Sequence, residues 1–176
     1  MNKTLIFGFS LWIVSSAAWS HGPTPQKLDE RIEIKAPVDK VWELLRKFEK
    51  ASEWHGGIKQ SLGDGKQGEP RVRTLVLPND EQLVEEMDFF SDHDHEYGYR
   101  LKQENIKALP VSSYSVKFQA IPGASSNSTV VTVKSRFYRG DTGNTPPESL
   151  NDAAAVKAMS DFFKTGLDSL RQKLEQ

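Results

Sequence analysis

Alternating apolar and polar positions recur along most of the chain and predict β-strands. The first alternating run, LDERIEIKAP, places Leu28, Ile32 and Ile34 on strand faces and ends at Pro37. Five further runs with a period of two residues are RVRTLVL (71–77), EQLVEEMDFF (81–90), YGYRLKQ (97–103), LPVSSYSVKFQAIP (109–122) and STVVTVKSRFYRG (128–140). The glycine-rich segment 52–70 predicts a turn, a short strand and a second turn. Together these segments predict about seven antiparallel strands.

Two segments have a helical period instead. In VDKVWELLRKFEK (38–50), Pro37 suits the first turn, and the apolar stripe is Val38, Val41, Trp42, Leu45 and Phe48. A longer helix is predicted from Asn151 to Leu174, with Ser149 or Asn151 as its N-terminal cap. Its apolar stripe is Val156, Met159, Phe163, Leu167, Leu170 and Leu174. At about 1.5 Å per residue it spans about 35 Å, which is enough to cross a small sheet.

The order of elements predicts the fold class. A strand, a helix, about six antiparallel strands and one long C-terminal helix indicate an α+β domain in which a curved sheet wraps around that helix. The space between such a sheet and its helix is a common position for a ligand pocket.

The N-terminal segment has the pattern of an export signal. Lys3 precedes an apolar run from Leu5 to Val14, and Ala18 and Ser20 are small residues of the kind that a signal peptidase accepts. The run is shorter than a membrane-spanning helix requires, and no cysteine follows it to carry a lipid. We therefore predict cleavage after Ser20 and a periplasmic protein without a membrane anchor.

The predicted domain boundaries follow from this cut. Residues 1–20 are the signal peptide, 21–27 an extended N-terminal arm with two prolines, and 28–176 a single domain. The sequence has 37% hydrophobic and 27% charged residues and a formal net charge of −1, which gives no indication of nucleic-acid binding. Because the chain has no cysteine, it has no thiol nucleophile, no c-type haem attachment motif and no thiolates for an iron–sulfur cluster. We predict that it holds no cofactor.

Two histidine-containing segments resemble metal sites. His21, as a new N-terminus, offers an amine and an imidazole to copper, but no second ligand is identifiable, and an incidental histidine at the cut is the favoured interpretation. In DHDHE (92–96), His93 and His95 would share one face of an extended segment. A solvated turn between two strands is the favoured interpretation of this segment. We predict no metal site.

A carboxylate and a guanidinium fall on apolar faces of two successive predicted strands. Glu85 shares its strand face, a predicted pocket face, with Leu83, Met87 and Phe89, and Arg73 shares a face with Leu75 and Leu77 on the preceding strand. An ionised group in this position requires a charged partner or water, so we hypothesise that the two side chains pair. Such a pair either contacts a ligand, with an acid/base role if its pKa is perturbed, or braces the sheet.

Further cavity candidates come from aromatic residues. Trp54 and His55 follow the first helix, and His55 is a group that can titrate near neutral pH. Tyrosines 97, 99 and 114 either line the pocket with hydroxyls or pack in the core. The predicted cavity residues are Trp54, His55, Arg73, Glu85, Met87, Tyr99, Tyr114 and Phe163. No serine–histidine–aspartate order, phosphate-binding glycine loop or zinc spacing is present, so we predict a protein that is not an enzyme and has no catalytic residue.

Motifs along nearly the whole predicted mature chain resemble one superfamily. They are IEIKAPVDKVWELL, WH (54–55), RVRTL, LVEEM, YGYRL, LPVSSY and GLDSL. They are similar to the START or Bet v 1-like superfamily, also called SRPBCC or polyketide cyclase-like. This resemblance implies the helix-grip fold and a ligand-binding cavity.

The two ends of the predicted mature chain resemble a narrower family. HGPTPQKLDE (21–30) and FYRGDTGNTPPESLNDAAAVKAM (137–159) are similar to MxaD, a periplasmic family from methanol-oxidation gene clusters. The resemblance implies an accessory protein that assists methanol dehydrogenase or its electron transfer to cytochrome c. The alternatives are a carrier of a small hydrophobic ligand and, less favoured, a cyclase-like enzyme that uses Glu85, Arg73 or His55.

Overall fold

The computed structural model describes residues 22–63 and 71–176. The predicted signal peptide, its cleavage after Ser20 and the metal-binding hypothesis for His21 lie outside these residues. No helix within the described ranges is long and apolar enough to cross a membrane.

One antiparallel sheet contains all the strands of the described residues. The strands are β1 (Gln26–Ile34), β2 (Gln60–Gly63), β3 (Val72–Val76), β4 (Gln82–Ser91), β5 (Glu96–Gln103), β6 (Val111–Pro122) and β7 (Thr129–Arg139). Their order in the sheet is β1-β7-β6-β5-β4-β3-β2. Strand β1 begins at Gln26, so the last two residues of the predicted arm belong to it. The predicted α+β helix-grip architecture is confirmed.

The helices bury most of the predicted apolar stripes, with Val38 and Val156 only partly buried. Helix α1 (Val38–Leu45) is followed by a 3-10 segment, Phe48–Glu53. The predicted helix 38–50 therefore ends early, because the backbone of Lys47 is not helical (φ −82°, ψ 69°), and the Phe48 carbonyl beyond it accepts a hydrogen bond from Arg73 on β3.

The long C-terminal helix starts where a cap is present. A short 3-10 turn, Glu148–Leu150, precedes helix α2 (Asp152–Leu174). Asn151 Oδ1 accepts from the Ala154 amide at 2.9 Å and so caps α2. The core lies between α2 and the inner face of the sheet, where alternate strand residues are buried.

A β-bulge changes one predicted face. The register shifts between Met87 and Phe89, so that Phe89 lies opposite Gly98 and Phe90 opposite Tyr97. Because the bulge inserts one residue, it reverses the side to which the following side chains point. The prediction that Phe89 shares the inner face with Glu85 and Met87 is wrong, since Phe89 lies on the outer face and is 43% exposed.

Candidate functional site

A buried ion pair links β3 and β4 on the inner face of the sheet. The strand register places Arg73 directly opposite Glu85, and Arg73 Nε donates to Glu85 Oε2 at 2.5 Å. Only 4% of Arg73 and 0% of Glu85 is exposed. Since a buried charge requires a partner, the hypothesised pairing follows from the placement of both side chains in the core.

Tyr114 on β6 contacts the second carboxylate oxygen of Glu85. Its hydroxyl donates to Glu85 Oε1 at 2.6 Å. Burial, reinforced by the negative charge of Glu85, raises the pKa of Tyr114 well above its ordinary value. The hydroxyl therefore stays protonated, and both oxygens of Glu85 accept hydrogen bonds from protein donors.

The guanidinium of Arg73 is held on several sides. Its Nη1 donates to the Phe48 carbonyl at 2.8 Å, and its central carbon lies 4.0 Å from the ring centre of Phe48 and 4.8 Å from that of Tyr99. Burial by itself lowers the pKa of Arg73, but the Glu85 carboxylate together with Tyr99 and Tyr97 outweighs burial, and the pKa is raised. Arg73 is thus a permanent cation between two aromatic rings.

The hydroxyl of Tyr97 has no hydrogen-bond partner among the described residues, although it is buried. The Tyr97 ring stacks on Phe118 with 5.5 Å between centres. Burial raises the pKa of Tyr97 to about 12, while the positive charge of Arg73 acts in the opposite direction. A buried hydroxyl without a partner costs about 1–3 kcal/mol, so this position favours a ligand atom or a water molecule that accepts its hydrogen bond.

Phe118 connects this polar cluster to the remaining predicted residues. The ring centres of Trp54 and Phe163 lie 5.9 Å and 6.2 Å from that of Phe118, both in edge-to-face geometry. Tyr99 also stacks on Phe118, at 6.3 Å, and Met87 lies opposite Tyr99 on β4. Trp54, Phe118 of the sheet and Phe163 of α2 therefore form one aromatic cluster, which Tyr99 connects to Tyr114 and Arg73.

His55 is buried against α2 rather than placed at the surface. Its Nδ1 accepts from the Gly57 amide at 3.1 Å, which leaves the proton on Nε2. A Cβ at Gly166 would lie 2.6 Å from Nε2 and 2.4 Å from Cδ2 of this ring. Glycine at position 166 thus allows α2 to approach the imidazole, and this nitrogen points at the helix.

The protonation of His55 differs from the prediction. Burial, together with the positive charge of Arg73, lowers its pKa to about 3. The imidazole therefore stays neutral over the physiological range, and the hypothesis that it titrates near neutral pH is wrong. The sequence did not reveal that a histidine in a glycine-rich segment packs beneath the long helix.

The DHDHE segment is the turn between β4 and β5. The His93 side chain is 95% exposed, whereas that of His95 is 23% exposed and packs on Trp42 with 5.4 Å between ring centres. Asp92 accepts from Trp42 Nε1 at 2.6 Å. Within residues 22–63 and 71–176, no group of three histidine, aspartate or glutamate side chains is arranged to hold a metal ion.

Sequence reasoning did not select Phe48 and Phe118 as site residues. Both occupy apolar positions of predicted elements, which is the pattern of any core residue. Their contacts with Arg73 and with the aromatic cluster depend on how the 3-10 segment Phe48–Glu53 and β6 pack, so no local signal marked them.

Comparison with family models agrees with this geometry. Residues 25–175 match the model described as "Polyketide cyclase / dehydrase and lipid transport". The chain belongs to this polyketide cyclase/dehydrase and lipid transport family. A search of curated proteins found no match.

Several solved structures share the fold of this family member. XoxI from Bacillus cereus has a TM-score of 0.71 and 23% identity, over 85% of this chain and 96% of that one. A protein from Nitrosospira multiformis has a TM-score of 0.65 and 19% identity, over 85% and 96%. The Zhui aromatase/cyclase from Streptomyces sp. R1128 has a TM-score of 0.66 and 15% identity, over 86% and 94%. At these identities the likeness shows a common fold.

Proposed function

We propose that the protein is a non-enzymatic binder of a small, largely aromatic or apolar molecule held between the sheet and α2. The observation that carries this proposal is the buried hydroxyl of Tyr97, which lacks a partner among the described residues. An oxygen acceptor on the ligand takes this hydrogen bond, and rings such as Phe118 contact the apolar body of the ligand. Membership of a family with a cyclase and lipid-transport description supports such a ligand.

The protonation states in the interior favour binding over catalysis. General acid/base catalysis works best when the pKa of the group is near the working pH, whereas burial holds the pKa of His55 at about 3. Both oxygens of Glu85 already accept hydrogen bonds, from Arg73 and Tyr114. Arg73, Glu85 and Tyr114 therefore stabilise the interior. Neither His55 nor Glu85 is a free acid or base for the cyclase-like alternative.

The binding proposal is tested with 1-naphthol and naphthalene as probes. Tyr97→Phe is expected to weaken 1-naphthol binding by about tenfold, because it removes one hydrogen bond of about 1.4 kcal/mol, and to leave naphthalene binding unchanged. Isothermal titration measures both affinities, with Tyr138→Phe on the outer face as the matched control. Equal loss for both probes, or binding of neither probe to the unaltered protein, would contradict the proposal.

A second candidate function is assistance to methanol dehydrogenase or to its electron transfer to cytochrome c in the periplasm. The observation that favours it is the resemblance of 21–30 and 137–159 to the MxaD family. The second segment includes an ordered loop, because Arg139 donates to the carbonyls of Asp141 and Gly143 and pairs with Asp152. An ordered surface loop is a suitable contact for a partner.

This second function is tested with purified methanol dehydrogenase and its cytochrome c. Addition of the protein is expected to raise the initial rate of cytochrome reduction by methanol, and Arg139→Gln, which releases the loop, is expected to reduce that increase. Lys157→Gln, at an exposed position of α2, is the control. For the predicted cleavage after Ser20, the protein purified from the periplasm is expected to have the mass of a chain that begins at His21. An unchanged reduction rate would count against the accessory role.

A further inference from the structure

The outer face of the sheet contains a groove of about 560 Å³ on the side opposite the aromatic interior. We name it the outer groove, and its principal residues are Phe89, Gly98, Ser115, Lys117, Lys134 and Arg136. The strand register arranges most of them in one row across four strands, in which Lys134 lies opposite Lys117, Lys117 opposite Gly98, and Gly98 opposite Phe89. The groove is therefore built from the ladder of the sheet itself.

Two small residues make room in this groove, since Gly98 accommodates the ring of Phe89 and Ser115 borders the hollow beside it. Gly98 has no side chain, and Ser115 on the neighbouring strand has a short one. A Cβ at Gly98 would lie 2.2 Å from Cε1 of Phe89, so the phenyl ring lies directly over the glycine. Phe89 nevertheless remains 43% exposed. An exposed aromatic ring beside a hollow is a preferred anchor point for a partner.

Cations lie next to cations in the same groove. Lys27 is directly opposite Arg136, and Lys117 is directly opposite Lys134. Like charges in opposed cross-strand positions are destabilising, so this arrangement is not one that folding stability favours. Asp29 and Asp88 also line the groove, so its four cations exceed its carboxylates by two, in a chain whose formal net charge is −1.

Part of this charge is not neutralised by the described residues. Lys117 pairs with Glu96 at 2.5 Å and Lys134 with Asp29 at 3.6 Å. Lys27 and Arg136 are exposed, and neither forms an ion pair within 22–63 or 71–176. The uncompensated charge favours an anionic occupant.

We propose that the outer groove binds an acidic segment of a partner protein and that an apolar side chain of this segment fills the hollow beside Phe89. Aromatic and arginine side chains are enriched at the energetic centres of protein interfaces, and Phe89 and Arg136 supply both chemistries. The groove is separated from the interior by the sheet, so this interaction is independent of the ligand proposed above.

The test uses a synthetic heptapeptide in which one tryptophan lies between two runs of three glutamates. Its charge-reversed counterpart replaces every glutamate with lysine. Titration of the ¹⁵N-labelled protein is expected to give saturable shifts at the amides of Gly98, Lys117 and Arg136 with the acidic peptide only. The double variant Phe89→Ala/Arg136→Gln is expected to lower the affinity by about tenfold or more.

A matched control uses the same kinds of side chain elsewhere on the outer face. Ile121→Ala/Arg31→Gln removes an exposed apolar residue and an exposed cation beyond the groove, and it is expected to leave the affinity unchanged. Arg136→Gln alone is expected to keep or raise the melting temperature, since it relieves the repulsion by Lys27. If Arg136 had only a structural role, Arg136→Gln would lower the melting temperature of the protein.

Three results would overturn the proposal. They are equal binding of the acidic and basic peptides, equal effects of the groove variant and its control, and the lack of saturable shifts at the three amides. If 2-naphthoate shifts these amides whereas the acidic peptide does not, the occupant is a small molecule and the assignment to a protein segment is wrong.

Discussion

Glu85→Gln is expected to lower the free energy of unfolding by about 3–5 kcal/mol, the usual effect of removing one member of a buried ion pair. The substitution leaves Arg73 charged, because the pKa of a guanidinium is too high for it to lose its proton. The cation is then buried between Phe48 and Tyr99 without a counter-charge. Tyr114 also loses its charged acceptor.

Urea unfolding of the variant and of two controls measures this effect. Glu86→Gln alters the next residue of β4, whose carboxylate pairs with Arg100 and Lys102 on the outer face, and a much smaller change is expected. Arg73→Met/Glu85→Leu replaces the whole pair with apolar side chains and is expected to regain much of the lost stability. If Glu85→Gln is as stable as the unaltered protein, the pair does not hold the core together.

The same variants distinguish two roles of the Arg73–Glu85 pair, bracing the sheet and contacting the ligand. If the ion pair only braces the sheet, the double variant keeps the affinity for 1-naphthol. If Arg73 also contacts the ligand, the double variant is stable but binds 1-naphthol more weakly. The two interpretations of the pair that the sequence left open thus predict different affinities at similar stability.

Acidification from pH 6.5 to 4.5 is expected to remove about 2–3 kcal/mol of stability through His55. In the folded protein burial lowers its pKa from 6.5 to about 3. The unfolded chain therefore binds a proton in this window and the folded chain does not. Since stability rises with pH wherever the unfolded state binds more protons, stability falls by about 1.4 kcal/mol for each pH unit below 6.5.

Denaturant unfolding across this pH range, compared between variants, isolates the histidine. His55→Gln is expected to flatten the slope between pH 6.5 and 4.5, whereas His93→Gln, at an exposed position in the β4–β5 turn, is expected to retain it. The pKa of Glu49 is lowered below its ordinary 4.5, so its contribution is lost at still lower pH. Identical slopes for His55→Gln and the unaltered protein would show that burial does not suppress protonation of His55.

The sequence by itself determined the elements and much of the inner face. Period-two alternation located the strands, and helical spacing located the long C-terminal helix. Asn151 was one of two predicted caps and is the one that the helix uses. The alternation within β3 and β4 also placed Arg73 and Glu85 on strand faces with apolar neighbours. These features depend on neighbours in the chain, so a local pattern is sufficient to reveal them.

Only the tertiary structure decided which side chains meet. The bulge after Met87 moved Phe89 to the outer face, and the packing of α2 at Gly166 buried His55 and lowered its pKa. Strand register set Lys27 beside Arg136. The physical reason is that burial, pKa and cross-strand contacts depend on residues distant in the chain, and a one-residue shift in register changes all of them.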